Sequence, residues 1–173
     1  MSASRTRFCA LTLCSLIVLL APAYADLAQD CNDGTLAVGI RACSALIKSG
    51  KLGTEDHATA LMNRAIAYAN TGRIAEAIKD LDDAIRLWPR NPLLYYNRGN
   101  IYLDRGKLKQ AIADFAAAIA EDASFALAFL NRGLAYERAG DVAASVNDLQ
   151  RAVELDPNLV AARDKLERLR TQR

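Results

Sequence analysis

The sequence predicts an all-α protein built as a stacked array of helix pairs, and three observations carry that reading. The stretch "NRAIAYANTGR" beginning at Asn63 returns as "NRGNIYLDRGK" at Asn97 and as "NRGLAYERAGD" at Asn131, each 34 residues after the last. A fixed period of this length marks a repeat architecture, in which every unit must present the same faces to its neighbours. Within a period the apolar residues recur at intervals of three and four, as Leu108, Ala111, Ile112, Phe115, Ala118 and Ile119 do, which is the pattern of an amphipathic helix. A glycine breaks each period at the same place, at Gly72, Gly106 and Gly140, and divides it into two helices joined by a turn.

Residues 1–25 stand apart from this array. Arg5 and Arg7 precede an apolar run from Phe8 to Leu20, and "APAYA" closes the segment with small residues at Ala23 and Ala25. A basic start, a short apolar core and an A-x-A end predict a cleaved secretory signal, hence an exported and periplasmic protein of a Gram-negative bacterium. The run of about 13 residues falls well short of the roughly 20 that span a bilayer, so no stable membrane span is expected after cleavage. Removing Arg5 and Arg7 leaves 20 bases against 20 acids. The chain has no basic run to attract nucleic acid or an anionic membrane surface.

Of the four cysteines, Cys31 and Cys43 lie beyond the signal. A lone pair in an exported chain predicts one disulfide, with two free thiols in a reducing compartment as the alternative. A helix beginning near Thr35 carries Cys43 about two turns in, and "CNDG" is the turn that brings Cys31 back over it. Residues 26–57 then form a degenerate N-terminal helical unit, with Ile40, Cys43 and Ile47 on its buried face.

Three full units follow over 58–91, 92–125 and 126–157. Asn91-Pro92 and Asp156-Pro157 each place a capping side chain before a proline at the first helical position, and Ser124 is a further cap candidate. Bulky residues at Leu61, Tyr95 and Phe129, and at Leu81, Phe115 and Leu149, alternate with small ones at Ala65, Gly99 and Gly133 and at Ala77, Ala84, Ala111, Ala118 and Ala152. Large against small is how paired helices interdigitate. The last segment, 158–173, reads as a single capping helix with Leu159, Ala162, Leu166 and Leu169 in one stripe and charges over the rest.

A 34-residue helix–turn–helix with small-x-x-Tyr, then Gly, Ala, an aromatic residue, Ala and Pro in order resembles the tetratricopeptide repeat (TPR) over Ala58 to Asn158. The resemblance implies a right-handed α-solenoid whose first helices line a concave surface. The chain departs from the pattern in places. Leu61, Tyr95 and Phe129 stand for the usual tryptophan, Arg64, Arg98 and Arg132 for the usual leucine, Ala123 for a proline and Ser145 for an alanine.

Two sets of polar residues recur. Arg64, Arg98 and Arg132 are each followed sixteen residues later by Asp80, Asp114 and Asp148. An arginine in an apolar slot needs a partner, and bidentate pairing suits guanidinium and carboxylate, so these predict a structural ion-pair ladder from helix to helix. Asn63, Asn97 and Asn131 fall on the helices that the resemblance places inside. An asparagine amide both donates and accepts, so a row of them suits the backbone of a bound peptide; packing within the helices is the alternative.

Nothing in the sequence predicts catalysis, a cofactor or a metal. His57, the only histidine, sits in "GTEDHATA" with no second cluster to complete a ligand set, and no phosphate loop or nucleophile motif is present. Trp88 and the tyrosines follow the repeat spacing and are expected in the core. The function predicted is a non-catalytic adaptor or scaffold that binds a protein or peptide in a concave groove. A self-associating structural module and an accessory subunit of an envelope enzyme or assembly complex are the alternatives.

Overall fold

The computed structural model describes residues 25–171, which hold nine helices and no strand. The expected signal segment lies outside them except for Ala25. Helix α1 covers 25–33, followed by α2 (Leu36–Ser49), α3 (Thr54–Asn70), α4 (Ile74–Leu87), α5 (Pro92–Asp104), α6 (Leu108–Glu121), α7 (Ala126–Ala139), α8 (Val142–Leu155) and α9 (Val160–Thr171). No helix among the described residues is long and apolar enough to cross a membrane.

Each helix packs chiefly on its neighbours in sequence, with α3 on α4, α5 on α6 and α7 on α8 as the most extensive pairs. The turns within the pairs share one design. Gly72, Gly106 and Gly140 adopt φ of 79°, 67° and 88°, the left-handed region that glycine enters without cost. The next amide then reaches back to the last turn of the helix, Arg73 N–H to Tyr68 C=O (2.8 Å), Lys107 to Tyr102 (2.9 Å) and Asp141 to Tyr136 (2.9 Å).

First helices also touch first helices. Contacts run from α3 to α5 and from α5 to α7, with none of similar extent between α4 and α6 or between α6 and α8. Elements on the inside of a curve lie closer together than those outside, so α3, α5 and α7 form the concave layer.

The helix pairs approach closely because small residues meet large ones. A Cβ on Gly99 would lie 2.8 Å from a ring carbon of Phe115, which is itself fully buried. A Cβ on Gly133 would sit 3.2 Å from Leu149 Cγ and 3.3 Å from the carbonyl of Ser145. In the first unit the facing residue is Leu81, smaller than phenylalanine, and Ala65 is accommodated with no exposure at all. Ser145, where the other units carry Ala77 and Ala111, is fully buried with no partner for its hydroxyl.

The predicted arginine–aspartate pairs are all joined, each in the same fork. Arg64 Nε and Nη2 donate to Asp80 at 2.7 and 2.8 Å, Arg98 to Asp114 at 2.8 and 2.7 Å, and Arg132 to Asp148 at 2.7 and 2.8 Å. The aspartates are buried and the arginines half-buried. The third guanidinium nitrogen distinguishes the units. Arg64 Nη1 donates to Ser44 on α2 (3.0 Å), and Arg98 Nη1 donates to Asp82 on α4 (2.5 Å), so both arginines also cross a repeat boundary. Hydrogen bonding to Asp114 first, reinforced by Asp82, raises the pKa of Arg98 although burial opposes the charge.

The structure departs from the sequence reading at several points. Cys31 is not in a turn: it lies on α1, a helix over residues read as "CNDG" loop, and the turn is only Gly34–Thr35. A Cβ on Gly34 would run into the carbonyl of Asp30, which fixes glycine there. Cys31 and Cys43 are bonded, with Cα atoms 4.8 Å apart. Among the cap candidates, Asn91 does accept from Leu93 N–H (3.0 Å) with Pro92 at the first helical position. Asp156 and Ser124 do not start helices. Asp156 closes α8 and accepts from Asn158 N–H (2.9 Å), and α9 begins only at Val160. Asp122, one period earlier, makes the same turn with Ser124 (2.9 Å). A short polar side chain turns the chain after a helix as readily as it caps the next one.

At the C-terminal end Ala162, Leu166 and Leu169 of α9 are buried against Leu149 and Ala152 of α8, and Lys165 Nζ pairs with Glu137 Oε2 of α7 (2.6 Å).

Two outcomes follow from this packing. Gly99→Ala is expected to destabilise by about 1–3 kcal/mol through overpacking against Phe115, despite alanine's better helix propensity. Adding Phe115→Leu recreates the Ala65/Leu81 pair and restores most of the loss; a double variant no more stable than the single one in urea unfolding refutes the paired-slot account. Arg98→Leu leaves Asp114 and Asp82 without their cation and costs about 1–3 kcal/mol. Apolar residues at both 98 and 114 recover much of it, and wild-type stability of the single variant excludes the pair as a stitch.

Candidate functional site

The concave layer presents one stripe of each first helix. Helical spacing puts Thr59, Asn63, Ile66 and Asn70 on one stripe, Leu93, Asn97, Asn100 and Asp104 on the next, and Leu127, Asn131, Leu134 and Arg138 on the third. The stripe is more apolar than a solvated helix face requires. Ile66 is 39 % exposed, Leu93 44 % and Leu127 42 %.

Three asparagines occupy equivalent sequence positions and are all half-buried, but their hydrogen bonds differ. Asn131 Nδ2 donates to Asn100 Oδ1 (2.7 Å) and to Tyr96 Oη (3.2 Å), both on α5. Asn63 Nδ2 donates to Asn32 Oδ1 on α1 (2.7 Å). Asn97 has no such neighbour, because the residue 31 positions before it is Ile66, and its Nδ2 turns back to Leu93 C=O of its own helix (2.8 Å). Asn63 and Asn131 therefore tie successive first helices together, whereas Asn97 bonds only within α5. The sequence signal for this difference is the column at Asn32, Ile66 and Asn100.

A cavity of about 400 Å³ opens where α4 hands over to α5, lined by Trp88, Asn91, Pro92, Leu93, Asp122 and Phe125. Trp88 is half-buried and forms one wall, so the only tryptophan is not wholly in the core as the spacing suggested. Phe125 stacks obliquely on Tyr96 with ring centroids 4.8 Å apart. The Asp122 carboxyl is held below its ordinary pKa by hydrogen bonds from Ser124, the side chain first and then the backbone.

Three of the four arginines on the first helices are paired with carboxylates, and the fourth, Arg138, is exposed with a backbone carbonyl as its partner. Arg64, Arg98 and Arg132 are in the ladder, and Arg138 Nη1 donates to Leu103 C=O across to α5 (3.1 Å). His57 is half-buried in the first turn of α3. Among the described residues no group of three or more His, Cys, Asp or Glu is placed to hold a metal ion.

Comparison with known proteins gives this arrangement its family. A sequence model of the tetratricopeptide repeat matches residues 96–160, and a TPR-repeat model matches residues 66–104. No curated protein matches the chain. Among solved structures, the first TPR of Spaghetti (RPAP3) bound to the HSP90 peptide SRMEEVD is 27 % identical, with a TM-score of 0.66 over 68 % of this chain and 94 % of that one. The second TPR domain of human RPAP3 in complex with the HSP70 peptide SGPTIEEVD is 27 % identical, with a TM-score of 0.65 over 68 % and 98 %. MamA from Desulfovibrio magneticus RS-1 is 25 % identical, with a TM-score of 0.74 over 88 % and 84 %. The chain carries tetratricopeptide repeats, matched from residue 66 to residue 160, and has the helical-repeat fold of protein-interaction modules.

Proposed function

We propose that this protein is an exported, non-catalytic adaptor that holds a segment of a partner protein along the concave face of α3, α5 and α7. The observation that carries the reading is the exposed apolar stripe on that face, Ile66, Leu93 and Leu127, interleaved with amides. Apolar side chains left in water on three successive first helices gain by being covered, and the amide row supplies directional contacts to a backbone. Solved TPR domains of similar fold hold peptides, which supports the same use here.

Asn97 is the rung best placed to serve a partner, because its amide stabilises no other helix. Its Oδ1 and second N–H are left for a bound backbone. Asn97→Ala is expected to leave the melting temperature nearly unchanged and to weaken partner binding by about 1 kcal/mol. Asn131→Ala loses the bonds to Asn100 and Tyr96 and is expected to lower stability by about 1 kcal/mol. Thermal unfolding of both variants separates these roles, and equal stability losses place Asn97 in the packing. For the face itself, a photo-crosslinker at position 97 should capture a partner in living cells while one at Lys109, exposed on α6, captures none. Equal capture from both positions, or none from 97, removes the groove reading.

Export is supported by the basic, apolar and A-x-A order of residues 1–25 and by a cysteine pair held at bonding geometry. In cells the mature chain should begin at Asp26 and show no titratable thiol until reduced, with reduction costing about 3 kcal/mol for a loop of this length. Two free thiols in protein isolated from the periplasm contradict this.

A further inference from the structure

The arginine ladder repeats its fork three times but not its third contact. In each unit Nε and Nη2 hold the aspartate of the second helix. The guanidinium is planar, so Nη1 then points the same way every time, across the boundary to the preceding second helix. There Arg64 Nη1 meets Ser44 and Arg98 Nη1 meets Asp82. Arg132 Nη1 meets no acceptor among the described residues. The residues twenty and sixteen places before each arginine explain the difference. They read Ser44 and Lys48, then Ile78 and Asp82, then Ile112 and Ala116, so the third unit alone is apolar at both. Arg132 is nevertheless as withdrawn from water as Arg98, 19 % exposed against 20 %. Its Cζ lies 5.5 Å from the centroid of the Phe129 ring, which covers one face of the guanidinium. A cation so placed gives up hydration without gaining the second carboxylate that Arg98 holds.

We infer that Arg132 is a docking point for a carboxylate of a partner protein, an Asp or Glu side chain that enters beside Ala116 where Asp82 stands one unit earlier. Asp82 displays the bound pose within this molecule, one carboxylate oxygen 2.5 Å from Arg98 Nη1. The Asp82 side chain is 47 % exposed, so the slot opens to solvent and a side chain from outside can reach it. Ala116 ends at Cβ where Asp82 extends its carboxylate. The local charge agrees with an incoming anion, because between Lys109 and Glu121 the only carboxylate on α6 is Asp114, buried and held by Arg98. One charge-assisted hydrogen bond does not hold a free metabolite at millimolar concentration, so the carboxylate arrives on a macromolecule that makes further contacts. Ala116 lies on a second helix, outside the concave layer, and the inference does not depend on the groove reading.

The arginine side-chain signals of the purified protein are followed by nitrogen-15 NMR while sodium acetate is added, with sodium chloride at equal ionic strength as the control. Acetate is expected to shift Arg132 and to leave Arg98 unmoved. Asp82→Ala opens the same slot at Arg98 and makes that signal respond, while Ala116→Asp fills the slot at Arg132 and removes the response there. Random dodecapeptides displayed on phage are then selected on the unaltered protein. Those that fail to bind the Ala116→Asp variant are expected to be rich in Asp and Glu, and Asn or Gln in place of the key acid should weaken them about tenfold. No shift of Arg132 beyond that from chloride, or an equal shift of Arg98 in the unaltered protein, overturns the site. Should Ala116→Asp prove unfolded by circular dichroism, Asp82→Ala decides alone, and a silent Arg98 in that variant refutes the slot. Acetate binding without any acid-dependent peptide overturns the partner protein as the source of the carboxylate.

Discussion

The whole array depends on how closely two antiparallel helices approach at one point in each unit. Positions twelve residues apart across the turn, Ala65 and Ala77, Gly99 and Ala111, Gly133 and Ser145, are all small, and the gap above them is filled by Leu81, Phe115 or Leu149. The N-terminal unit keeps the same register with Cys31 and Cys43, twelve apart and at the same offset of 34 from Ala65 and Ala77. There the small-residue contact is replaced by a covalent one at 4.8 Å between Cα atoms. The close approach also brings each first-helix arginine within reach of the aspartate sixteen residues on, so the charge ladder follows from the packing slot. Polar groups so placed specify the register of one helix on the next, because any slip would leave a buried carboxylate unpaired.

Most of the fold was legible in the sequence because the repeat imposes the same physics three times. The 34-residue register, the turn glycines and the arginine–aspartate offset are each visible as columns, and a column filters out accident. What the columns did not reveal lies where a residue type serves two local structures. "CNDG" carries turn-forming residues, and nine residues are too few for helical periodicity to show, so α1 was hidden. The register did hold the clue, since Leu27 and Cys31 precede Leu61 and Ala65 by one period. Asp156 and Ser124 misled because caps and turns use the same side-chain chemistry.

The candidate site was legible by position and less so by bonding. Recurrence placed Asn63, Asn97 and Asn131 on one face, and equal residues suggested equal roles. Their roles diverge because hydrogen bonding depends on the facing column, which reads Asn32, Ile66 and Asn100. A repeat thus conceals difference in the residues that sit opposite its constant ones. The Trp88 cavity was invisible for another reason. Its walls come from the ends of two successive units, and no spacing within one unit describes it.

A linear stack loosens from its ends, where a unit has a neighbour on one side only. This molecule seals its two ends with different chemistry. At one end α1, too short to persist as a helix alone, is tied to α2 through Cys31 and Cys43. At the other, α9 is drawn onto the array by Leu166 and Leu169 and by Lys165 and Arg168 reaching Glu137. Breaking the Cys31–Cys43 bond therefore leaves α1 held only by the packing of Leu27 and Ala28 and by the Asn32–Asn63 bond, and does not touch the C-terminal end. High ionic strength acts in the opposite sense, screening the partly exposed charges of α9 without touching a covalent link. The two ends thus answer to different conditions, thiol–disulfide balance at one and, for the charged part of its docking, ionic strength at the other.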